Sequence, residues 1–286
     1  MGGVVQVPAA LAAFHPVIAG WFAERFPDGP TEPQLAAWPA VREGADVVVA
    51  SPTGSGKTLA AFLVALDRAY RAFEEGRWEQ GTQVVYVSPL KALAVDVHHN
   101  LQVPLAELAE RAEALGLPVP PITVGVRTGD TPAAERVAMA RRPPTIMVTT
   151  PESLYLLLTA ASSRVALETV RLVIVDEAHA TARDRRGAHL ALSLERLQHL
   201  QGDRRLQRIA LSATQRPVET VGRLVTGAVP SPAGCAVVDL GPVRHVQLRV
   251  DMPDGDLEAV ASTEQMHDIA DRIARRVAEH RTTLVF

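Results

Sequence analysis

The sequence predicts an α/β protein with a doubly wound, mostly parallel sheet, and three observations lead to that class. First, six short apolar runs of strand type follow one another: DVVVA (46–50), VVYVS (84–88), ITVGV (122–126), TIMVT (145–149), LVIVD (172–176) and RIALS (208–212). Stretches of helical character separate them, the alternation expected when crossover helices join parallel strands. Second, the runs are continuously apolar, as strands covered on both faces are. Third, each ends in a polar or Gly/Pro cluster, in turn SPTGSGKT, SPLKAL, RTGD, TTPESL, DEAH and SAT. Ligands of such sheets sit beyond the carboxyl ends of the strands, so the chemistry is expected along one edge.

The first run carries the most specific signal. ADVVVA (45–50) leads into Ser51, Pro52, Thr53, Gly54, Ser55, Gly56, Lys57 and Thr58, after which Leu59, Phe62, Leu63 and Leu66 recur at helical spacing. Strand, glycine-bearing loop and helix in that order make a phosphate-binding P-loop, whose backbone amides cradle phosphates while a lysine reaches their outer oxygens. Gly54 and Gly56 permit positive φ and close backbone approach, and the helix N-terminus offers its dipole. Ser51 stands where the general pattern opens with glycine, so the looser form of the motif is the one matched. Lys57 is one of two lysines among 29 basic residues. A chain that otherwise uses arginine places a compact ammonium here.

The fifth run supplies the complementary groups. LVIV sets Asp176 at a strand end, where its carboxylate, with the Thr58 hydroxyl, can hold Mg²⁺. Glu177 is placed to orient an attacking water, and Lys57, Asp176 and Glu177 are the candidate catalytic residues.

Composition narrows the class further. At 286 residues and 47% hydrophobic, the chain can bury one large α/β core and a smaller piece. A net charge of −3 and a pI near 6.3 exclude a global basic field, so any nucleic-acid contact is local and geometric. The single cysteine, Cys235, excludes an internal disulfide framework and reads as a small, buried or half-buried apolar residue. The N-terminal stretch lacks a basic segment and is broken by His15 and Pro16, so it is neither a signal peptide nor a membrane span. The chain reads as cytoplasmic. His98, His99 and His189 show no metal-ligand spacing and read as structural.

VPSPAG (229–234) marks a turn-rich change of character. AVVDL and HVQLRVDM follow as extended segments, then an amphipathic helix from Thr263 to about His280 carries Met266, Ile269, Ile273 and Val277 on one face. TTLVF ends the chain as a strand-like run.

The P-loop, DEAH and SAT together resemble a superfamily 2 helicase of the DEAD/DEAH-box kind, whose motor is two RecA-like lobes with ATP between them. WFAERF, PTEPQLAAWP, SPLKALAVDVHHNLQVPL, RTGDTPAAER, PPTIMVTTPESLYLLL and RRGAHLALSLERL resemble the Lhr (large helicase-related) group over roughly residues 14 to 286. The resemblance implies a P-loop NTPase fold: residues 1–30 a helical lead-in, 31–230 the first RecA-like lobe, and 231–286 a linker with the incomplete start of a second lobe. It implies ATP and Mg²⁺ as cofactors, bound by residues 51–58, with Gln34 reading the adenine edge and Thr58 and Asp176 on the metal. It assigns His179, Ser212 and Thr214 to coupling between nucleotide and movement. Ser88, Pro89, Lys91, Arg127, Gly129, Thr149, Thr150, Pro151 and Ser153 correspond to loops that grip the backbone of single-stranded DNA or an RNA–DNA hybrid. Arg183, Arg185 and Arg186 face either nucleic acid or solvent. The family's arginine finger belongs to the second lobe, of which HRTTLVF resembles only the first strand, so slow independent turnover is expected. A non-catalytic nucleotide-dependent binding module, and half of a split helicase completed by a separate polypeptide, remain the alternative readings.

Overall fold

The computed structural model describes residues 8–182, 184–213, 217–227, 234–241, 249–253 and 260–285. Seven strands, β1 (Asp46–Ala50), β2 (Val84–Val87), β3 (Val124–Arg127), β4 (Ile146–Thr149), β5 (Leu172–Val175), β6 (Gln207–Ser212) and β7 (Cys235–Asp239), form one sheet. Their order is β3-β4-β2-β5-β6-β1-β7, and every pairing is parallel. The described helices are α1 (Pro16–Arg25), α2 (Glu32–Arg42), α3 (Lys57–Glu74), α4 (Lys91–Ala114), α5 (Ala133–Arg141), α6 (Pro151–Thr159), α7 (Ala161–Arg164), α8 (Ala178–Thr181), α9 (Arg185–Leu200), α10 (Val218–Thr226) and α11 (Thr263–Glu279). The six expected runs are therefore β1 to β6, with no end shifted by more than two residues.

Strand parity sorts the core into two layers. Val47, Val49, Tyr86 and Ile174 pack with α1 to α4, whereas Val48, Val85, Val173 and Val175 pack with α6, α9 and α10. Successive residues of a strand point to opposite faces, so burial of both faces requires an unbroken apolar run. The lead-in helix α1 belongs to the first layer: Phe22 meets Trp38 edge-on at 5.7 Å, and the Trp21 indole N–H donates to Glu107 at 2.7 Å. Trp38 of α2 in turn donates to the Ala60 carbonyl of α3 at 3.2 Å.

Contacts divide the chain into two compact units, Met1–Val243 and Arg244–Phe286. The sheet continues past residue 230, where the sequence places the change of domain, because β7 pairs with β1 along its whole length. Cys235 opens β7 and is exposed rather than half-buried. In the second unit α11 is capped by Ser262, whose hydroxyl accepts from the Gln265 N–H at 3.2 Å. Its apolar residues Met266, Ile273 and Val277 are exposed within that unit. Neither 249–252 nor 282–285, the described parts of the two runs expected to be extended or strand-like, forms a strand. A strand needs a neighbour to complete its hydrogen-bond ladder, and no described residue of this unit supplies one. Among the described residues no helix is long and apolar enough to cross a membrane.

The first turn of α9 lies against the end of α8 too closely to admit a side chain at Gly187. A Cβ on Gly187 would lie 2.1 Å from the Thr181 carbonyl oxygen, a backbone atom that cannot swing aside. Gly187→Ala is therefore expected to destabilise the fold by about 1–3 kcal/mol through overpacking, measured by denaturant unfolding against the parent chain.

Candidate functional site

All the strands being parallel, the carboxyl ends of β1 to β6 and their polar clusters fall on one edge. Three of them meet at the centre of the sheet, where β6 lies between β5 and β1. The loop after β1 turns through Gly54 (φ 78°) and Gly56 (φ 84°), both left-handed, before α3 begins at Lys57. It is closed on itself. The Lys57 ammonium, nearly buried, donates to the Ser51 carbonyl at 3.3 Å and lies 3.4 Å from that of Pro52, and the Ser51 and Ser55 hydroxyls meet at 2.7 Å. The Ser51 N–H donates to the Ser212 carbonyl at 3.1 Å, which fixes the loop's start against the end of β6. A cleft of about 460 Å³ adjoins Thr58, with Trp21, Phe26, Leu59, Phe62 and Pro104 among its apolar walls.

Gln34 supports this loop from outside. Its amide nitrogen donates to the Gly56 carbonyl at 3.2 Å, and its carbonyl accepts from the Thr31 N–H at 2.9 Å. The Thr31 hydroxyl donates to the Ser55 carbonyl at 2.8 Å. Gln34 is buried, and one amide hydrogen remains beyond these contacts. Thr31, three residues ahead of Gln34, was not singled out from sequence. The T-x-x-Q spacing of a capping box is the signal that could have found it.

At the end of β5 the Asp176 carboxylate accepts from two sides, from the Glu177 N–H at 2.9 Å and from the Tyr86 hydroxyl. Burial, followed by the Asp176 charge and its hydrogen bond, raises the Tyr86 phenol well above its ordinary pKa, although the Thr58 hydroxyl beside it works the other way. Glu177 holds φ at 45°, a left-handed conformation that non-glycine residues seldom adopt. His179 follows on α8, with Nδ1 accepting from the Ala213 N–H at 3.2 Å and lying 3.3 Å from both the Ser212 hydroxyl and Glu177 Oε2. The structure thus unites Gln34, residues 51–58, Asp176, Glu177, His179 and Ser212. Thr214 and Arg183 lie outside the described residues.

The loops after β2, β3 and β4 form a second cluster, and here the hydroxyls differ from expectation. Ser88, Thr149, Thr150 and Ser153 are buried and bonded within the protein. Thr149 donates to the Arg127 carbonyl at 2.6 Å, Ser88 to that of Leu90 at 3.2 Å, and Thr150 caps α6 by accepting from the Ser153 N–H at 3.4 Å. Short hydroxyl side chains at strand ends complete backbone hydrogen bonds there before they meet a ligand. Exposed instead are Lys91 at the start of α4, paired with Asp130 at 2.6 Å, and Gly129 beside them. Arg127, half-buried, donates to the Thr128 carbonyl at 2.9 Å; burial and the neighbouring Arg136 lower its pKa. Pro151 opens α6 and is buried. Of the arginines past DEAH, Arg185 is exposed, while Arg186 donates to Glu152 at 2.8 Å and to the Pro89 carbonyl at 2.9 Å. Burial raises the Glu152 pKa, but the Arg186 hydrogen bond and charge, with a backbone N–H, leave it lowered overall. Among the described residues no group of three or more His, Cys, Asp or Glu could hold a metal ion.

Comparison with known proteins points to one family. The model of the DEAD/DEAH box helicase family matches residues 31–221. The chain is 49% identical over 276 residues to the Lhr helicase/probable uracil glycosylase of Mycolicibacterium smegmatis, covering 96% of itself and 18% of that relative. It is 42% identical over 273 residues to the ATP-dependent helicase Lhr-Core of Methanothermobacter thermautotrophicus, covering 95% of itself and 31% of that protein. The structure of Mycobacterium smegmatis helicase Lhr bound to ssDNA and AMP-PNP superposes with a TM-score of 0.81 at 48% identity, over 96% of this chain and 34% of that one. The chain thus spans about a third or less of the relatives it matches.

The hinge of the phosphate loop gives a direct test of its geometry. A Cβ on Gly56 would lie 2.7 Å from the Gln34 amide nitrogen, and the left-handed backbone there strains any L side chain. Gly56→Ala is expected to lower stability by about 1–2 kcal/mol from the backbone alone. In chemical unfolding the loss should be smaller in a Gln34→Ala background, where only the backbone term remains.

Proposed function

The chain belongs to the DEAD/DEAH box helicase family, in its Lhr branch, and on that premise we propose that it is the ATP-binding lobe of a motor that moves along single-stranded nucleic acid. The observation that carries this reading is the meeting, at one point of the sheet edge, of the loop after β1, the Asp176–Glu177 pair after β5 and the His179–Ser212 contact beside β6. A phosphate loop alone would bind many nucleotides. With a carboxylate pair opposite, it has the parts for phosphoryl transfer to water.

Each residue has a distinct part in the proposal. The backbone amides of 54–58 and the N-terminus of α3 receive the phosphates. Lys57 leaves the carbonyls of Ser51 and Pro52 for the outer phosphate oxygens, an exchange of neutral acceptors for charged ones that strengthens its hydrogen bonds. Thr58 and Asp176 offer hard oxygen donors, and a site with one carboxylate, a hydroxyl, waters and phosphate oxygens is of the kind Mg²⁺ occupies. Magnesium, when bound there, neutralises charge on the β- and γ-phosphates. Glu177 orients the attacking water, and Gln34 offers its remaining amide hydrogen to the base. His179 and Ser212 carry the state of the site toward the segment after β6.

The second cluster is the strand-gripping surface of the proposal. With Ser88, Thr149, Thr150 and Ser153 bonded inside the protein and α6 capped by Thr150, the groups left for sugar-phosphate are the amino end of α4, Gly129, Lys91 and Arg127. Backbone amides and cations hold phosphates without reading bases, as a translocating motor requires. The relative solved with ssDNA and AMP-PNP supports both halves of the reading. Single-stranded DNA or an RNA–DNA hybrid is the proposed partner.

Two measurements test these assignments. Titration with a fluorescent ATP analogue and Mg²⁺ should show binding to the parent chain, and Lys57→Ala should weaken it roughly 10- to 100-fold, the loss expected for charged hydrogen bonds. Equal affinity of the two proteins would reject the phosphate-loop assignment. Titration with single-stranded DNA at several salt concentrations should show weaker binding by Lys91→Ala, with a log–log salt slope shallower by about 0.7. Asp130→Asn, which frees Lys91 from its ion pair, should act in the opposite direction.

A further inference from the structure

We infer that Tyr86 is a positioning residue for the Asp176 carboxylate, and that its hydroxyl on Asp176 and its ring on Phe62 link α3 to the acidic end of β5. The inference rests on the reading of Thr58 and Asp176 as the magnesium-side pair. It adds a residue from a different strand, which neither the phosphate-loop pattern nor DEAH contains.

The placement follows from sheet register. Tyr86 on β2 pairs with Ile174 on β5, and both pack into the layer under α3. Asp176 lies two residues beyond Ile174 and so returns to the same face. The Asp176 N–H donates to the Val87 carbonyl at 2.8 Å, which carries the parallel pairing of β2 and β5 up to the carboxylate itself. A side chain as long as tyrosine, directed along the face toward the carboxyl edge, brings its hydroxyl to Asp176 Oδ2. A shorter or purely apolar side chain would not.

The phenol is held as well as placed. Tyr86 is fully buried, and its ring stacks on Phe62 of α3 with centroids 5.1 Å apart and planes inclined by 19°. Phe62 lies one turn from Thr58, so the stack fixes the ring relative to the phosphate loop. The Thr58 hydroxyl acts on the same phenol from the other side, opposing the rise in its pKa that burial and Asp176 cause. A buried tyrosine needs a partner, and any nearby carbonyl would serve. Here the two side chains that flank it are those to which the functional reading assigns the metal. Glu177 N–H on Oδ1 and Tyr86 O–H on Oδ2 together fix the carboxylate plane, and each oxygen keeps a lone pair for a ligand.

Tyr86→Phe removes one oxygen atom and leaves the ring stacked on Phe62. A fluorescent ATP analogue should be titrated at a series of free Mg²⁺ concentrations and in excess chelator, with thermal unfolding recorded in parallel. The expected result is a Mg²⁺ midpoint raised roughly 10-fold, in line with loss of a group that orients a metal ligand, and a chelator-limit affinity within about two-fold of the parent. In an Asp176→Asn background the same substitution should give no further shift. A Mg²⁺ midpoint unchanged by Tyr86→Phe, with or without a lower melting temperature, would overturn the inference while leaving the nucleotide reading intact. A parent chain whose nucleotide binding ignores Mg²⁺ would overturn the magnesium-pair reading, and this inference with it.

Discussion

The constraint on which the structure depends is that all seven strands run the same way. A parallel neighbour cannot be reached by a tight turn, so each connection must cross a face of the sheet before the next strand begins. Crossings on both faces bury both, and this makes the strands continuously apolar. They also return every strand end to one edge, and six short polar clusters, far apart in sequence, become neighbours there. The site is therefore a consequence of topology before it is a matter of particular side chains.

Within that frame, parity along a strand decides which residues of adjoining strands can cooperate. Ile174 packs under α3 while Val173 and Val175 face the opposite layer, so Asp176 falls on the α3 side with Tyr86. The same rule brings the carboxylate toward the first turn of α3, where Thr58 lies. A slip of one residue in the β2–β5 register would turn the partner of Tyr86 to the far face. The register is held by the apolar pairs Val85 with Val173 and Tyr86 with Ile174, so core packing and site geometry share one set of residues.

Much of this was legible in the sequence. The six runs became six strands, and SPTGSGKT and DEAH met across the sheet because both follow strands of one parallel set. Less legible were the contacts that depend on register or on a competing partner. Tyr86 reads as one more strand residue until its pairing with Ile174 is known. Gln34 and Thr31 read as a helix start, and their grip on Ser55 and Gly56 needs the spatial approach of α2 to the loop. Ser88, Thr149, Thr150 and Ser153 have the right chemistry for phosphate, yet strand ends and a helix cap already claim their hydroxyls. β7 was visible as an extended run, but nothing local in AVVDL says that it joins β1.

One nitrogen atom, His179 Nδ1, faces both the acidic pair and the end of β6. His179 Nδ1 accepts from the Ala213 N–H at 3.2 Å and stands 3.3 Å from Glu177 Oε2. To satisfy the amide it must present a lone pair; to satisfy the carboxylate it must present a proton. It cannot do both at once. With its proton on Nε2 the imidazole holds the segment after β6, and with a proton on Nδ1 it can hold Glu177 instead. The two contacts are therefore mutually exclusive in chemistry although adjacent in space. Ala213 follows directly on Ser212, whose carbonyl anchors the start of the phosphate loop. The acidic pair and the end of β6 are thus separated by a single side chain, that of His179.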